Sequence, residues 1–74
     1  MATKTDSNHD LPVILRLPAV RKATGYPTST IYRLIAERRF PRQVSLGPKS
    51  VGWVEREVHE WIAARIAARD GEGV

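Results

Sequence analysis

The strongest hydrophobic pattern lies in the last third of the chain. It consists of Val54, Val58, Trp61, Ile62 and Ile66. This i, i+4, i+7, i+8, i+12 spacing is typical of one face of an α-helix. Acidic residues at its start and arginines near its end match the helix dipole, and Gly71 provides a stop signal. The pattern predicts an amphipathic helix of roughly four turns that covers the rest of the domain.

Two shorter helices are predicted upstream, joined by a tight turn. The segment PAVRKAT is bounded by Pro18, which suits the first turn of a helix, and by Gly25, which suits the position just past its end. Only Tyr26 and Pro27 separate Gly25 from the next helical pattern. Two short helices joined in this way form a helix-turn-helix.

The second helix is predicted over about residues 28–38. Its start has two interpretations: either Thr28 is the N-cap, or Pro27 is the first helical residue with Thr28 behind it. Its end is set by Phe40-Pro41, because the residue before a proline avoids helical geometry.

This second helix has two distinct faces when its residues are spaced at about 100°. The apolar face consists of Ile31, Leu34 and Ile35. The opposite face consists of Ser29, Arg33 and Ala36, flanked by Thr30, Tyr32 and Glu37. Hydroxyl groups and a guanidinium on an exposed helix face are suited to phosphates and base edges.

Two short alternating runs, RQVSL and SVGW, flank the turn sequence GPKS. They predict a β-hairpin whose tip is residues 47–50, and which must pack on the helices because a lone hairpin is marginally stable. The element order predicts a mainly α fold with a small β-hairpin, namely a winged helix-turn-helix with a C-terminal helix. Trp53 and Trp61 follow the apolar periodicity, so we expect both in the core.

The length of 74 residues corresponds to one domain. We expect a disordered N-terminal arm over residues 1–13, the winged helix-turn-helix domain over 14–69 and a flexible tail over 70–74. There is no cysteine, and the two histidines are far apart, so neither disulfides nor a metal site is predicted. The apolar run LPVIL is too short for a signal peptide or a membrane span. These features favour a soluble, intracellular protein.

The positive charge is concentrated in the middle of the chain. Residues 16–49 contain eight basic residues and one acidic residue, a net charge of +7, whereas residues 50–74 carry −2 and residues 1–15 carry −1. A basic segment beside an acidic one indicates a surface that binds a polyanion and a separate structural element.

The segments LRLPAV, STIYRLI, FP…LGPKSVGW and EVHEWI together resemble the AlpA-type prophage regulatory proteins over about residues 14–69. That family consists of small DNA-binding proteins with a MerR-like helix-turn-helix, related to phage excisionases. The resemblance implies control of phage or mobile-element genes, and hence a cytoplasmic, nucleoid-associated protein of a bacterium or phage. It also implies a DNA-reading face on residues 29–33 and a DNA contact by Lys49 and Ser50.

Two residues depart from the family pattern. Pro27 lies where family members commonly carry a serine, and Arg39 lies where a glycine is common. A residue other than glycine in the left-handed helical region costs about 1 kcal/mol. Either the helix ends differently in this protein, or Arg39 offsets that strain by contacting a phosphate.

These observations define a set of candidate DNA-binding residues. Within the second helix they are Thr28, Ser29, Thr30, Tyr32 and Arg33, and at the hairpin tip they are Lys49 and Ser50. Weaker candidates for backbone contacts are Arg21, Lys22, Arg39 and Arg42. Tyr32 has an alternative role, which is to pack its ring against the hairpin.

The sequence therefore predicts a sequence-specific double-stranded DNA-binding transcriptional regulator, with the second helix in the major groove and the hairpin tip on the adjacent backbone. The partners to expect are double-stranded DNA, further copies of the chain on DNA, and a recombinase or RNA polymerase. No catalytic triad, phosphate-binding loop or metal-ligand set is present in the sequence, so we predict no enzyme activity, no cofactor, no small-molecule ligand and no membrane partner. Two alternatives remain: an excisionase-like factor that bends DNA, and a protein-interaction module.

Overall fold

The computed structural model of the protein describes residues 12–72. The elements in chain order are β1 (Ile14–Leu15), α1 (Leu17–Thr24), α2 (Thr28–Ala36), β2 (Val44–Gly47), β3 (Ser50–Val54) and α3 (Glu55–Glu72). Three helices and a small antiparallel hairpin confirm the predicted fold class. The expected N-terminal arm lies outside the described residues up to position 11, and so do the last two residues of the expected tail.

The first helix begins and ends where its proline and glycine predict. Pro18 lies in the first turn of α1, and Gly25 caps the helix in the left-handed conformation with φ of 78°. The Gly25 N–H donates to the carbonyl oxygen of Arg21 at 2.8 Å. The Thr24 hydroxyl donates to the Val20 carbonyl and accepts from the Tyr26 N–H, at 2.9 and 3.2 Å. These bonds hold the turn between the two helices.

The second helix ends two residues earlier than predicted, at Ala36. Arg38 has φ of 61°, so it occupies the left-handed position that usually belongs to glycine. Around it, the Arg39 N–H donates to the Leu34 carbonyl at 2.8 Å and the Arg38 N–H donates to the Ile35 carbonyl at 3.0 Å. This pair of bonds is the Schellman motif. The residue in the left-handed region is thus Arg38 and not Arg39. The backbone strain considered for Arg39 lies at Arg38 instead.

The sheet has three strands, one more than the predicted hairpin. Its order is β1-β3-β2, and both pairings are antiparallel. Ile14 pairs with Val54, and Val44 pairs with Gly52. The carbonyl oxygen of Val13 also accepts from the Glu55 N–H at 2.7 Å. Val13, which we expected in the N-terminal arm, is therefore hydrogen-bonded to the start of α3. A two-residue strand is too short to show alternation in the sequence.

The core lies between the inner face of the sheet and the helices. Its buried residues are Val20, Ile31, Leu34, Phe40, Trp53 and Val58. Trp53 is fully buried, and its Nε1–H donates to the Pro41 carbonyl at 3.2 Å. Trp61 is half-buried, and its ring packs edge-on against Phe40 with centroids 4.9 Å apart. The prediction of a core position is confirmed for Trp53, whereas Trp61 packs against the core and stays partly exposed.

The last helix packs on the domain through its N-terminal part. Val58 is fully buried and Ile62 is half-buried, but Ile66 is 47% exposed and every described side chain from Ala63 to Gly71 is exposed. The predicted apolar stripe thus covers the domain only as far as Ile62. The helix also continues through Gly71 to Glu72, because a single glycine costs only about 1 kcal/mol in a helix and does not end it by itself. Positions 70–72 are therefore helical, although we expected them in the tail.

Within residues 12–72, no helix has the length and apolar character that crossing a bilayer requires.

Candidate nucleic-acid interface

The start of α2 differs from both interpretations of the sequence. Pro27 is the N-cap, with extended backbone (φ −73°, ψ 163°), and no side chain caps the helix. The Pro27 carbonyl accepts from the N–H groups of Thr30 and Ile31 at 3.1 and 3.2 Å. Thr28 is therefore the first helical residue and not the cap. Among the described residues, no hydrogen-bond partner contacts the N–H of Thr28 or Ser29.

The two faces predicted for α2 are present in the structure. Ile31 and Leu34 are buried, whereas Ser29 and Arg33 are exposed on the opposite side. Thr30 is half-buried. The exposed face therefore carries a hydroxyl in its first turn and a guanidinium one turn later, and both groups are accessible to solvent.

Tyr32 connects α2 to the hairpin. Its ring lies edge-on to the ring of Trp53, with centroids 6.1 Å apart and an angle of 63° between the planes. The residue as a whole is still 37% exposed. Tyr32 thus makes the hairpin contact that the sequence allowed, and it remains accessible to solvent.

A single carboxylate lies between two of the predicted DNA-binding arginines. Glu37 Oε2 is 3.6 Å from Nη1 of Arg33, and Glu37 Oε1 accepts from Nη1 of Arg39 at 3.3 Å. All three side chains are largely exposed. The sequence pattern predicts no role for Glu37 beside the polar face of α2, although its i, i+4 spacing from Arg33 is the signal of an ion pair.

Arg21 and Lys22 lie close to the start of α2. Together with Gly25 and Pro27 they line a shallow cavity at the turn between the two helices. Both are in the last turn of α1 and are exposed. The fold therefore brings these two basic residues to the N-terminal end of α2, where the helix dipole also favours an anion.

Arg39 and Arg42 line a second, larger groove. It lies between the connection from α2 to β2 and the side of α3 that carries Glu57, Glu60 and Trp61. The Nε1–H of Trp61 donates to the Arg39 carbonyl at 2.7 Å, which holds this connection against α3. The Arg39 side chain is thus close both to this groove and to Glu37.

The hairpin tip forms a turn, as predicted. Gly47 pairs with Ser50, and the turn between them contains an exposed Lys49. Ser50 is half-buried at the start of β3. Within residues 12–72, no hydrogen bond or ion pair connects Lys49 to α2.

Arg16 is a basic residue near the hairpin, and it was not among the predicted DNA-binding residues. Its Nε–H donates to the carbonyl oxygen of Val51 at 3.0 Å, across 35 positions of sequence. Its position before α1 gives no indication of this contact, because the partner is a backbone atom of β3. Arg16 therefore helps to fix the hairpin relative to the helix-turn-helix.

The three helices, the antiparallel hairpin and the basic surface around α2 define a winged helix-turn-helix protein. Comparison with known sequences identifies the family: the family model described as Prophage CP4-57 regulatory protein (AlpA) matches residues 13–66, and the chain belongs to this family. The resemblance found in the sequence motifs is thereby confirmed.

Two relatives show the extent of the similarity. The chain is 53% identical to the ORF88 protein of Enterobacteria phage P4 over 55 residues, which are 74% of this chain and 62% of that protein. The match thus spans less than two thirds of the phage protein. The chain is 42% identical over 65 residues to the DNA-binding transcriptional activator AlpA of Escherichia coli strain K12, covering 80% of this chain and 93% of that protein.

Proposed function

We propose that this protein is a sequence-specific double-stranded DNA-binding regulator of transcription of phage or mobile-element genes. The observation that carries the proposal is the exposed face of α2, where Ser29 and Arg33 lie opposite the buried Ile31 and Leu34. Family membership supports it, as does the similarity to a DNA-binding transcriptional activator over nearly that protein's whole length.

In the proposed complex, α2 enters the major groove, as the second helix of a helix-turn-helix does. Arg33 contacts a base edge or a phosphate. Ser29, Thr30 and the free N–H groups at the start of α2 bind phosphate and fix the register of the helix. A bidentate contact from Arg33 to guanine provides about 1–3 kcal/mol of discrimination between bases.

The remaining basic residues contact the DNA backbone in this proposal. Arg21 and Lys22 lie beside the start of α2, and Lys49 extends from the hairpin tip. The protein binds through side chains and backbone N–H groups and requires neither a cofactor nor catalysis. Because one module of this size contacts few bases, we propose that several copies bind together on DNA.

In the alternative of a protein-interaction module, the helix that carries Trp61 would be the docking face for a polymerase subunit, a repressor or an integrase. The Trp61 ring packs between Tyr26 and Phe40, with centroid distances of 6.0 and 4.9 Å, so it is already in contact with the domain. This packing favours the DNA-binding proposal. An interaction module also has no need for a charge of +7 within one segment.

The test begins with selection of a preferred duplex from a random DNA pool, followed by fluorescence anisotropy on selected and random duplexes over a salt series. About five phosphate contacts give a slope of log K against log [salt] near −4.5. Arg33→Ala should lower the affinity for the selected duplex by about 1–3 kcal/mol and relax the preference at one base pair. Lys49→Ala should weaken binding to both duplexes and reduce the slope by about 1.

Arg65→Ala is the matched control, because Arg65 is an exposed arginine on the part of α3 that does not pack on the domain. It should change neither affinity nor slope. A flat salt dependence without enrichment of any sequence would refute the proposal. DNA bending, measured by energy transfer between dyes at the two ends of the selected duplex, separates the roles: strong bending with binding to direct repeats indicates the excisionase-like alternative.

A further inference from the structure

Glu37 is an acidic residue within a surface proposed to bind a polyanion, and the proposed function gives it no role. It is also the one acidic residue between positions 16 and 49. Its two carboxylate oxygens each face a different arginine, Arg33 at 3.6 Å and Arg39 at 3.3 Å. In the free protein, this carboxylate occupies guanidinium groups that DNA would otherwise contact.

We propose that Glu37 is a specificity-determining residue, which weakens binding to DNA of arbitrary sequence more than binding to the preferred site. This inference rests on the proposed function of α2. The physical basis is a difference between the two kinds of DNA acceptor. A phosphate carries its own negative charge, whereas the O6 and N7 atoms of guanine are neutral acceptors.

A phosphate that approaches Arg33 or Arg39 must displace Glu37, because two like charges at one guanidinium repel each other. A guanine edge brings no charge, so Arg33 can contact it while Glu37 still neutralises the guanidinium. The five N–H donors of arginine allow both contacts at once. A complex held by phosphates alone therefore loses both ion pairs of Glu37. A complex in which Arg33 contacts a base edge keeps the ion pair between Arg33 and Glu37.

The arrangement of the three residues makes this exchange feasible. The exposed fractions of the side chains are 58% for Arg33, 42% for Glu37 and 64% for Arg39, so none is locked in the core. Exposed ion pairs of this kind contribute at most about 1 kcal/mol each. They are strong enough to shift the affinity for random DNA and weak enough to be displaced.

The experiment compares Glu37→Gln with the unmodified protein on selected and random duplexes. Glu37→Gln should tighten binding to random DNA by about three- to tenfold, corresponding to the loss of one or two exposed ion pairs. Binding to the selected duplex should tighten by a smaller factor, because only the Arg39 ion pair is lost there, so the ratio of specific to non-specific affinity falls. In the unmodified protein, Glu37 takes up a cation when its arginines move to DNA, which offsets part of the counterion release. Glu37→Gln has no such carboxylate, so the slope of log K against log [salt] on random DNA should become more negative by up to about 1.

Asp70→Asn is the matched control. Asp70 pairs with Arg69 at 2.8 Å near the exposed end of α3, so this substitution also removes one negative charge and frees one arginine. It should leave the ratio of affinities unchanged. Thermal unfolding of both variants verifies that they remain folded.

Each other outcome overturns the inference. If Glu37→Gln behaves like Asp70→Asn, Glu37 has no influence on binding. If both duplexes bind tighter by the same factor, Glu37 acts only through net charge. If the selected duplex binds more weakly and random DNA is unaffected, Glu37 supports Arg33 in reading the base. Failure of the unmodified protein to bind any duplex would instead refute the proposed function itself.

Discussion

The left-handed backbone of Arg38 predicts that glycine has opposite effects on stability at position 38 and at the neighbouring position 39. Arg38 has φ of 61° and closes α2 through the two hydrogen bonds of a Schellman motif. The Cβ of a residue other than glycine costs about 1–2 kcal/mol in this region. We therefore expect Arg38→Gly to stabilise the folded protein.

The size of the effect follows from two opposing contributions. Relief of the left-handed strain favours the variant, whereas glycine loses about 0.5–1 kcal/mol more backbone entropy on folding. The net stabilisation is about 0.5–1 kcal/mol. For a domain of this length, that raises the unfolding midpoint by about 2–8 °C.

The assay is thermal unfolding followed by circular dichroism at the helix band, together with urea unfolding for the free energy. Arg38→Ala removes the guanidinium and keeps the Cβ, so it should be close to the unmodified protein in stability. Arg39→Gly is the second control: Arg39 does not have a positive φ, so glycine there should destabilise by about 0.5–1 kcal/mol. If Arg39→Gly is the stabilising variant, or if Arg38→Gly is no more stable than Arg38→Ala, the reasoning is refuted.

Three further predictions concern contacts within the fold. A Cβ at Gly52 would overlap the Ile14 side chain and lie 3.1 Å from the backbone oxygen of Leu15. Gly52→Ala should therefore lower the free energy of unfolding, measured in urea, by about 1–3 kcal/mol. The double variant Gly52→Ala/Ile14→Ala should lose less free energy of unfolding than the two single variants lose together. Strict additivity of the two losses would contradict the overlap. Trp61→Phe loses the 2.7 Å hydrogen bond to the connection between α2 and β2, so calorimetry should show a loss of about 0.5–1.5 kcal/mol. Arg16→Ala loses the 3.0 Å bond to the hairpin, and hydrogen exchange of β3 amides should become faster; unchanged exchange would exclude a role in holding the hairpin.

The sequence alone determined the fold class and the two faces of α2. Residues with strong local preferences carry this information: Pro18 and Gly25 delimit α1, and the spacing of Ile31 and Leu34 defines the buried side of α2. Such signals act within one or two turns of chain, so they are visible without tertiary structure. The basic segment and the family resemblance likewise indicated which surface to examine.

The tertiary structure decided the features that depend on distant partners. The strand β1 exists because Ile14 and Leu15 pair with β3, some 40 positions away, and the Arg16 contact has the same origin. The N-cap of α2 and the left-handed position at Arg38 depend on backbone angles that several residues at each end could have adopted. The position of Glu37 between two arginines requires α2 to end where it does, since Arg39 reaches back only because the chain turns at Arg38. Local sequence preference determined which elements form. Tertiary packing determined where they end and how they contact one another.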